Sequence, residues 1–166
     1  MIEMEVINVQ IDIPGNSPVL VLREVAGAGR LVPIFIGHAE ASAIAFGLEG
    51  VVTARPMTHD LMCSLLEHLG TTVTAVEITS VEGGTFYAEL VLRSGQDESR
   101  VSARPSDAVA IALRVECPIW ADDSVVEVAG VLPDEDHGDG DGGEGADVVE
   151  EFRAFIDNVN PEDFGS

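Results

Sequence analysis

The first quarter of the chain contains three short apolar runs separated by turn-forming residues. Residues 4–13 place alternate side chains on one apolar face, residues 19–25 are rich in valine and leucine, and residues 31–36 are apolar again. A period of two and a high content of β-branched residues are typical of strands. Turn-forming residues fill 14–18 and 26–29. The pattern therefore predicts three strands joined as a meander.

Three later stretches carry apolar residues at helical spacing. The alanine-rich stretch 38–48 predicts a first helix, whose small side chains favour close packing. A second helix is predicted from Thr58, as its N-cap, to a stop at Gly70, and a third from Ser106 to just before Pro118. The second helix is expected to bury one stripe of leucines: Leu61, Leu65, Leu66 and Leu69.

The other apolar stretches of the first 132 residues have the composition of strands. Residues 71–93 alternate on both sides of a Gly-Gly turn, which predicts a β-hairpin. A short strand should lead into Arg104, and residues 119–120 and 125–131 are predicted to be short closing strands. The predicted fold class is α+β, with a mixed, mostly antiparallel β-sheet and three core helices.

The C-terminal part of the chain has a different composition. Residues 1–132 can form one domain, whereas residues 133–147 are an acidic Gly/Asp linker, which we expect to be disordered because it has too little apolar surface to bury. Residues 148–166 form the third segment, and a short C-terminal amphipathic helix is predicted over 148–159. Its apolar stripe, which should dock on the core or on a partner, consists of Val149, Phe152, Phe155 and Ile156.

Charge changes this picture by restricting the ligands. Residues 1–133 contain 18 acidic residues and seven arginines, a net charge of −11, and residues 134–166 contain 12 acidic residues and one arginine, again −11. The chain is thus an acidic protein without lysine. Because no diffuse lysine surface can hold phosphates, any anion binding must come from a few arginines, helix N-termini or a metal ion.

Cysteine usage and hydropathy indicate the cellular compartment. Cys63 and Cys117 are far apart and form no CxxC motif, which is typical of reduced thiols. The N-terminus lacks the pattern of a signal peptide, and no apolar run approaches the ~18 residues of a membrane span. We therefore expect a cytoplasmic protein that has no membrane partner.

Two of the predicted helices begin with nearly the same motif. Residues 54–60 and 103–107 both read Ala-Arg-Pro followed by a hydroxyl residue and an acid. In the simpler interpretation the hydroxyls cap the helices and the acids offset the positive helix ends. That does not explain the arginines, because a cation beside a helix N-terminus is unfavourable unless a carboxylate or a bound anion lies between them. One alternative is an internal ion pair, such as Arg55 with Asp107 or Arg104 with Asp60.

The other alternative is an anion site formed where the two helix starts meet. Guanidinium forks, backbone N–H groups and hydroxyls would then bind phosphate; the candidates are Arg55, Arg104, Thr58 and Ser106. Imidazole and carboxylate groups would supply acid–base chemistry or hold a divalent metal ion. The catalytic candidates are His59, Asp60 and Asp107, and the metal candidates are Asp60, Asp107 and Glu40. The simpler interpretation of His59 and Glu40 is a solvated first helical turn.

Familiar catalytic motifs are missing from the sequence. It contains no G-x-x-x-x-G-K-[ST], no G-x-G-x-x-G before a helix, no G-x-S-x-G and no H-E-x-x-H. These absences argue against nucleoside triphosphate, dinucleotide, serine hydrolase and zinc protease chemistry.

Four motifs in a fixed order resemble the bifunctional nuclease domain family. They are Pro33–Gly37 with Glu40-Ala41, Arg55–Leu61, Thr85–Ala88, and Arg104–Ala108 with Ala110 and Ala112. The resemblance spans roughly residues 4–131. It implies a compact α+β fold, a homodimer, and nuclease activity as both a DNase and an RNase, with DNA or RNA as the partner.

The sequence therefore leads to one main hypothesis and one alternative. The main hypothesis is a hydrolase that cleaves phosphodiester bonds with the help of a divalent metal ion, magnesium or manganese. The alternative is a noncatalytic regulatory module that binds an anionic metabolite or a protein partner.

Overall fold

A computed structural model describes residues 1–12 and 15–133 of the chain. The strands are β1 (Ile2–Asp12), β2 (Ser17–Glu24), β3 (Leu31–Phe35), β4 (Thr71–Glu82), β5 (Thr85–Ser94), β6 (Asp97–Ala103) and β7 (Ile119–Ala121). The helices are α1 (His38–Leu48), α2 (Thr58–His68), α3 (Pro105–Val115) and α4 (Asp123–Ala129). The predicted meander, hairpin and first three helices are confirmed.

The strands form one seven-stranded sheet in the order β3-β2-β1-β7-β4-β5-β6. Neighbouring strands are antiparallel except β4 and β7, which are parallel. The three residues of β7 join two antiparallel halves, one built from β1 to β3 and the other from β4 to β6. The predicted α+β class with a mixed, mostly antiparallel sheet is confirmed.

Helix α3 lies at the centre of the helical layer. It contacts α1, α2, β4 and β5, and a run of five of its residues is buried: Ala108, Val109, Ala110, Ile111 and Ala112. A Cβ at Gly47 would lie 3.0 Å from Cβ of Leu113. The small residues of α1 therefore allow the close packing on α3 that the sequence predicts.

The predicted buried stripe of α2 is wrong for three of its four leucines. Leu61, Leu65 and Leu69 are 48%, 51% and 72% exposed. The residues that face the interior are instead His59, Cys63 and Leu66, which follow one another at spacings of four and three. The error has a simple cause: α2 is apolar on two sides, and spacing alone cannot tell which side meets the sheet.

The closing strand predicted over 125–131 is a helix. Asp122 caps α4, because its side chain accepts a hydrogen bond from the backbone N–H of Ser124 at 2.9 Å. Val125 and Val126 are fully buried on the inner side of that helix. Only Val131 pairs as a strand residue, in an isolated bridge with Leu31. The described residues thus form four helices where the sequence predicted three in the core.

Two further predictions concern membrane spans and the C-terminal part of the chain. None of the helices in the described part of the chain is long and apolar enough to cross a membrane. The acidic linker, apart from Pro133, and the C-terminal helix lie outside the described residues.

Candidate functional site

Helices α2 and α3 place an aspartate at the same position, the third residue of the helix. The N-cap of α2 is Met57 and that of α3 is Arg104. The capping residues predicted from the hydroxyl side chains, Thr58 and Ser106, are therefore wrong, because both already lie inside the helices. The two extra residues in the first motif shift its arginine, so that Arg104 occupies a cap whereas Arg55 precedes its cap by two residues.

Asp60 binds Arg114, an arginine at the end of α3. Its Oδ2 accepts the backbone N–H of Met57 at 2.8 Å, and its Oδ1 accepts Nε of Arg114 at 2.5 Å. Arg114 is only 11% exposed, and its Nη1 also donates to the carbonyl oxygens of Ala43 at 2.9 Å and Ala110 at 2.7 Å. This arginine ties α1, α2 and α3 together. The hydrogen bond from Arg114 is the main reason that the pKa of Asp60 is lowered.

Asp107 binds two groups at once. Its Oδ2 accepts Nε of Arg104 at 2.7 Å, and its Oδ1 accepts Nη2 of Arg104 at 3.1 Å. Nε2 of His59 lies 3.1 Å from the same Oδ1. Burial opposes ionisation of Asp107, but the hydrogen bonds from Arg104 and His59 outweigh it, and the pKa of Asp107 is lowered. The carboxylate is therefore charged at neutral pH and can only accept hydrogen bonds.

Glu40 joins the same group from the start of α1. Its Oε1 lies 2.8 Å from Nη2 of Arg104, so one nitrogen stands between the carboxylates of Glu40 and Asp107. A Cβ on Gly37 would overlap Oε2 of Glu40, which shows how closely this side chain folds back over the backbone. We call His59, Asp107, Arg104 and Glu40 the acid–base cluster. It combines residues from the starts of all three core helices.

An open cleft with a volume of about 390 Å³ lies beside the acid–base cluster. Arg104 and Ser106 are the two predicted site residues that line it, and Arg104 thus connects the cleft with the cluster. The other walls come from β3 with the residues after it and from the turn between β4 and β5. These strands lie in opposite halves of the sheet, so the sheet must coil to bring them to one cleft.

The structure places only some of the predicted site residues next to one another. The structure brings His59, Asp107, Arg104 and Glu40 together, whereas Asp60 belongs to the Arg114 contact. The anticipated pairs of Arg55 with Asp107 and of Arg104 with Asp60 do not form. Arg55 makes no ion pair with any described residue, and it is not among the residues that line the cleft.

Three residues of interest were missed by the sequence analysis. Arg114 was overlooked because its partner lies 54 positions away, although a charge on the apolar side of a helix always needs a partner. Phe35 and Phe86 line the cleft, but their strand pattern carries no sign of that.

Two carboxylates of the cluster have the chemistry to hold a divalent ion. Nη2 of Arg104 sits 2.8 Å from Oε1 of Glu40 and 3.1 Å from Oδ1 of Asp107, and it marks a position where these oxygens surround a positive charge. Magnesium typically takes one or two carboxylates and fills its other positions with water and phosphate. The described residues contain no group of three or more histidine, cysteine, aspartate or glutamate side chains placed to hold a metal ion.

Residues 20–134 match the family described as the bifunctional nuclease domain, and this match covers more than half of the chain. The chain belongs to the bifunctional nuclease domain family. The whole acid–base cluster lies inside the matched residues. The residues that line the cleft also lie inside them, except Ser17, which precedes the match.

Two kinds of protein are similar to this chain. An uncharacterised protein of Mycobacterium tuberculosis is 45% identical over 163 residues, which cover 98% of this chain and 97% of the relative. Bifunctional nuclease 2 of Arabidopsis thaliana is 29% identical over 113 residues, which cover 65% of this chain and 34% of the plant protein. Bifunctional nuclease 1 of the same plant is 30% identical over 105 residues, covering 61% of this chain and 32% of the relative.

Proposed function

We propose that this chain is a nuclease that hydrolyses phosphodiester bonds of DNA and RNA at the acid–base cluster. The observation that carries the proposal is the meeting of an imidazole, two carboxylates and an exposed guanidinium beside an open cleft. The family membership and the name of the plant relatives support it. In the proposed reaction a water oxygen attacks phosphorus, the bond to the leaving oxygen breaks, and the leaving oxygen receives a proton.

His59 is the residue that moves the proton. Because the charged Asp107 can only accept, Nε2 of His59 carries hydrogen, and Nδ1 of the neutral ring presents a lone pair. This nitrogen can take a proton from the attacking water and return it to the leaving oxygen. Asp107 orients the ring through this contact.

Arg104 is the main phosphate ligand in this proposal. Its side chain is 65% exposed and lines the cleft, and Nη1 takes no part in its contacts with Asp107 and Glu40. Two N–H groups therefore remain for a phosphate oxygen. Ser106 lines the cleft next to it and can add a hydroxyl. Thr58, in the first turn of α2, and Arg55 are secondary candidates for contacts with phosphates farther along a strand.

Glu40 and Asp107 would hold a divalent ion, magnesium or manganese. Such an ion, when bound, would offset the charge of the phosphate and polarise its oxygens. Asp60 is the less suitable ligand, because its arginine, Arg114, is 11% exposed and also binds the backbone of two helices, whereas the arginine on Asp107 is 65% exposed. Its role in our proposal is to fix the first turn of α2 and thereby the position of the neighbouring His59.

The test is an assay of purified protein on single-stranded DNA and RNA, with and without magnesium or manganese. His59→Ala should lower the rate by about 100-fold or more, as expected for a lost general acid–base group. His68→Ala, in the last turn of the same helix, is the matched control and should cleave like the wild type. Equal rates for wild type, His59→Ala and Asp107→Ala would assign the cleavage to a contaminant.

A homodimer is part of the proposal, with the outer face of α2 as its interface. Large apolar side chains remain exposed there and in the adjoining segment before the helix: Leu48, Val51, Val52, Met57, Leu61, Met62, Leu65 and Leu69. Light scattering should give twice the mass of one chain, and Leu65→Glu should halve it. A mass of one chain for the wild type would contradict the homodimer.

The cytoplasmic location also belongs to the proposal, and the free thiols of Cys63 and Cys117 support it.

A second candidate is a noncatalytic module that binds an anionic metabolite or a protein partner. The observation in its favour is that His59 is buried and does not line the cleft, whereas Arg104 does. Under this alternative, phosphate-bearing metabolites should raise the melting temperature and nucleic acid should not. A rate of cleavage that depends on His59 would reject it.

A further inference from the structure

The most exposed aromatic side chain of the described residues lies in the cleft. Phe35, the last residue of β3, is 67% exposed and lines the cleft together with Ile34 and Ile36. Strand alternation directs Ile34 into the core, where it is 3% exposed, and Phe35 away from it. A phenyl ring placed in water inside a concave site is typical of a ligand contact.

The opposite wall of the cleft is formed by the turn between β4 and β5. Gly84 has a φ of +82°, which favours glycine, and a side chain added there would meet no other atom within 4 Å. The backbone of Gly84 is therefore not covered by side chains where it lines the cleft. Thr85 and Phe86 complete this wall. The cleft thus offers both aromatic side chains and uncovered polar backbone.

We infer that Phe35 is a stacking platform for one nucleobase of a single-stranded nucleic acid, whose neighbouring phosphate binds Arg104. The inference rests on the proposed function and names its substrate class. Every base has a flat π face that can stack on an aromatic ring, and the edge of the stacked base can meet the polar backbone at Gly84. In a duplex both faces of a base are covered, so only an unpaired base fits.

The charge of the domain makes such a contact necessary. Residues 1–133 carry a net charge of −11, and two of the four groups in the acid–base cluster are carboxylates. Electrostatic attraction, which provides most of the affinity of ordinary nucleic-acid-binding proteins, is therefore weak here. Stacking does not depend on net charge, and Phe35 provides it next to the arginine that lines the same cleft.

The test measures binding of a fluorescent oligothymidylate in a buffer with EDTA, so that hydrolysis does not contribute. Phe35→Ala should weaken binding by about ten-fold, whereas Phe35→Trp should keep or improve it. The matched control is Tyr87→Ala, because Tyr87 is also an exposed aromatic residue but does not line the cleft. It should bind like the wild type.

Three further measurements define the ligand. A hairpin duplex of the same length should bind at least about ten-fold more weakly than the single strand, because its bases cannot stack on the ring. The slope of log affinity against log salt should be shallow, about −0.7 for one phosphate contact. Thymidine monophosphate should compete if one base and one phosphate suffice, and failure to compete at millimolar concentration would show that a longer strand is required.

The outcomes separate this inference from the proposed function. Equal affinity of wild type and Phe35→Ala, or tighter binding of the duplex, overturns the base site but leaves His59-dependent cleavage standing. Conversely, a Phe35-dependent affinity without any His59-dependent cleavage supports the base site and rejects the nuclease.

Discussion

Helices α2 and α3 carry an aspartate at the same helical position, but two different arginines bind these aspartates. Asp60 is bound by Arg114, which is 11% exposed and comes from the end of α3. Asp107 is bound by Arg104, which is 65% exposed and precedes it by three residues. The first pair lies among three helices and the second borders the cleft. Similar motifs thus give one structural contact and one contact that remains open to a ligand.

The largest effect on stability should come from Arg114. Replacing it with alanine removes the partner of Asp60 and two bonds to backbone carbonyls, so the free energy of unfolding should fall by about 2 to 3 kcal/mol. Arg104→Ala should lower it by less than about 1 kcal/mol, because exposed pairs contribute little. Urea denaturation of both variants measures the contrast. Equal losses of unfolding free energy in the two variants would mean that the buried pair is no more stabilising than the exposed pair.

For activity, in contrast to stability, Arg104 should matter more than Arg114. Arg104→Ala should reduce kcat/KM on a single-stranded oligonucleotide by about 100-fold, because it removes a phosphate ligand and frees Asp107 from its two hydrogen bonds. Arg104→Lys keeps the charge but not the fork, and it should recover only part of the rate. A rate within two-fold of the wild type for Arg104→Ala would contradict the assignment of this residue.

The pH dependence of stability should identify the contact of Asp60 with Arg114. The folded pKa of Asp60 is lowered from 3.8, so its charged form adds stability that is fully present above the unfolded pKa and is lost as the pH falls through the lower folded value. The difference in unfolding free energy between wild type and Asp60→Asn should be constant above about pH 5 and shrink below it.

The control for this experiment is the same aspartate substitution made in an Arg114→Met background. Without the arginine the difference should be smaller at neutral pH and should change less in acid. An unchanged pH profile would mean that Arg114 is not the source of the lowered pKa.

A smaller effect is expected from Gly37→Ala. The added methyl group would overlap the carboxylate of Glu40 and push it away from Arg104 without changing any charge. Activity should fall about three- to ten-fold, since misplacing a ligand group costs less than deleting it. Glu40→Gln tests the same carboxylate without the steric change. If Gly37→Ala keeps the activity of the wild type while Glu40→Gln loses it, activity requires the carboxylate of Glu40 but not its exact position.

The smallest effect should come from Arg55. It precedes its helix cap by two residues and does not line the cleft, so it can contact only phosphates farther along the strand. Arg55→Ala should lower activity less than about three-fold, and added salt should remove the difference. An effect as large as that of Arg104→Ala would restore the two arginines to equal roles.

Local patterns predicted most of the fold, and their failures have local causes. Alternation and turn chemistry were sufficient for the meander and the hairpin. The valine-rich segment at 125–126 misled, because β-branched residues favour strands, but the capping bond at Asp122 and burial against the sheet decide for a helix. In α2 both sides are apolar, and only the tertiary structure selects His59 for the inner one.

The site was predictable where it depends on short motifs and not where it depends on distance. The motif repeat pointed to His59 and Asp107, which do lie in contact although 48 residues separate them. It also suggested that Arg55 and Arg104 were equivalent, which the two-residue shift relative to the helix caps excludes. The partner of Asp60 and the aromatic wall of the cleft depend on how helices and strands pack, and no spacing in the sequence encodes them.

The short strand β7 has a consequence for the synthesis of the protein. Because Ile119–Ala121 alone bridges the two halves of the described sheet, a nascent chain that ends before residue 119 can join the halves only through its helices, by the packing of α1 on α3. Emergence of three residues from the ribosome would then complete the sheet in one late step. A growing polypeptide therefore closes its sheet only when nearly all of the domain has been translated.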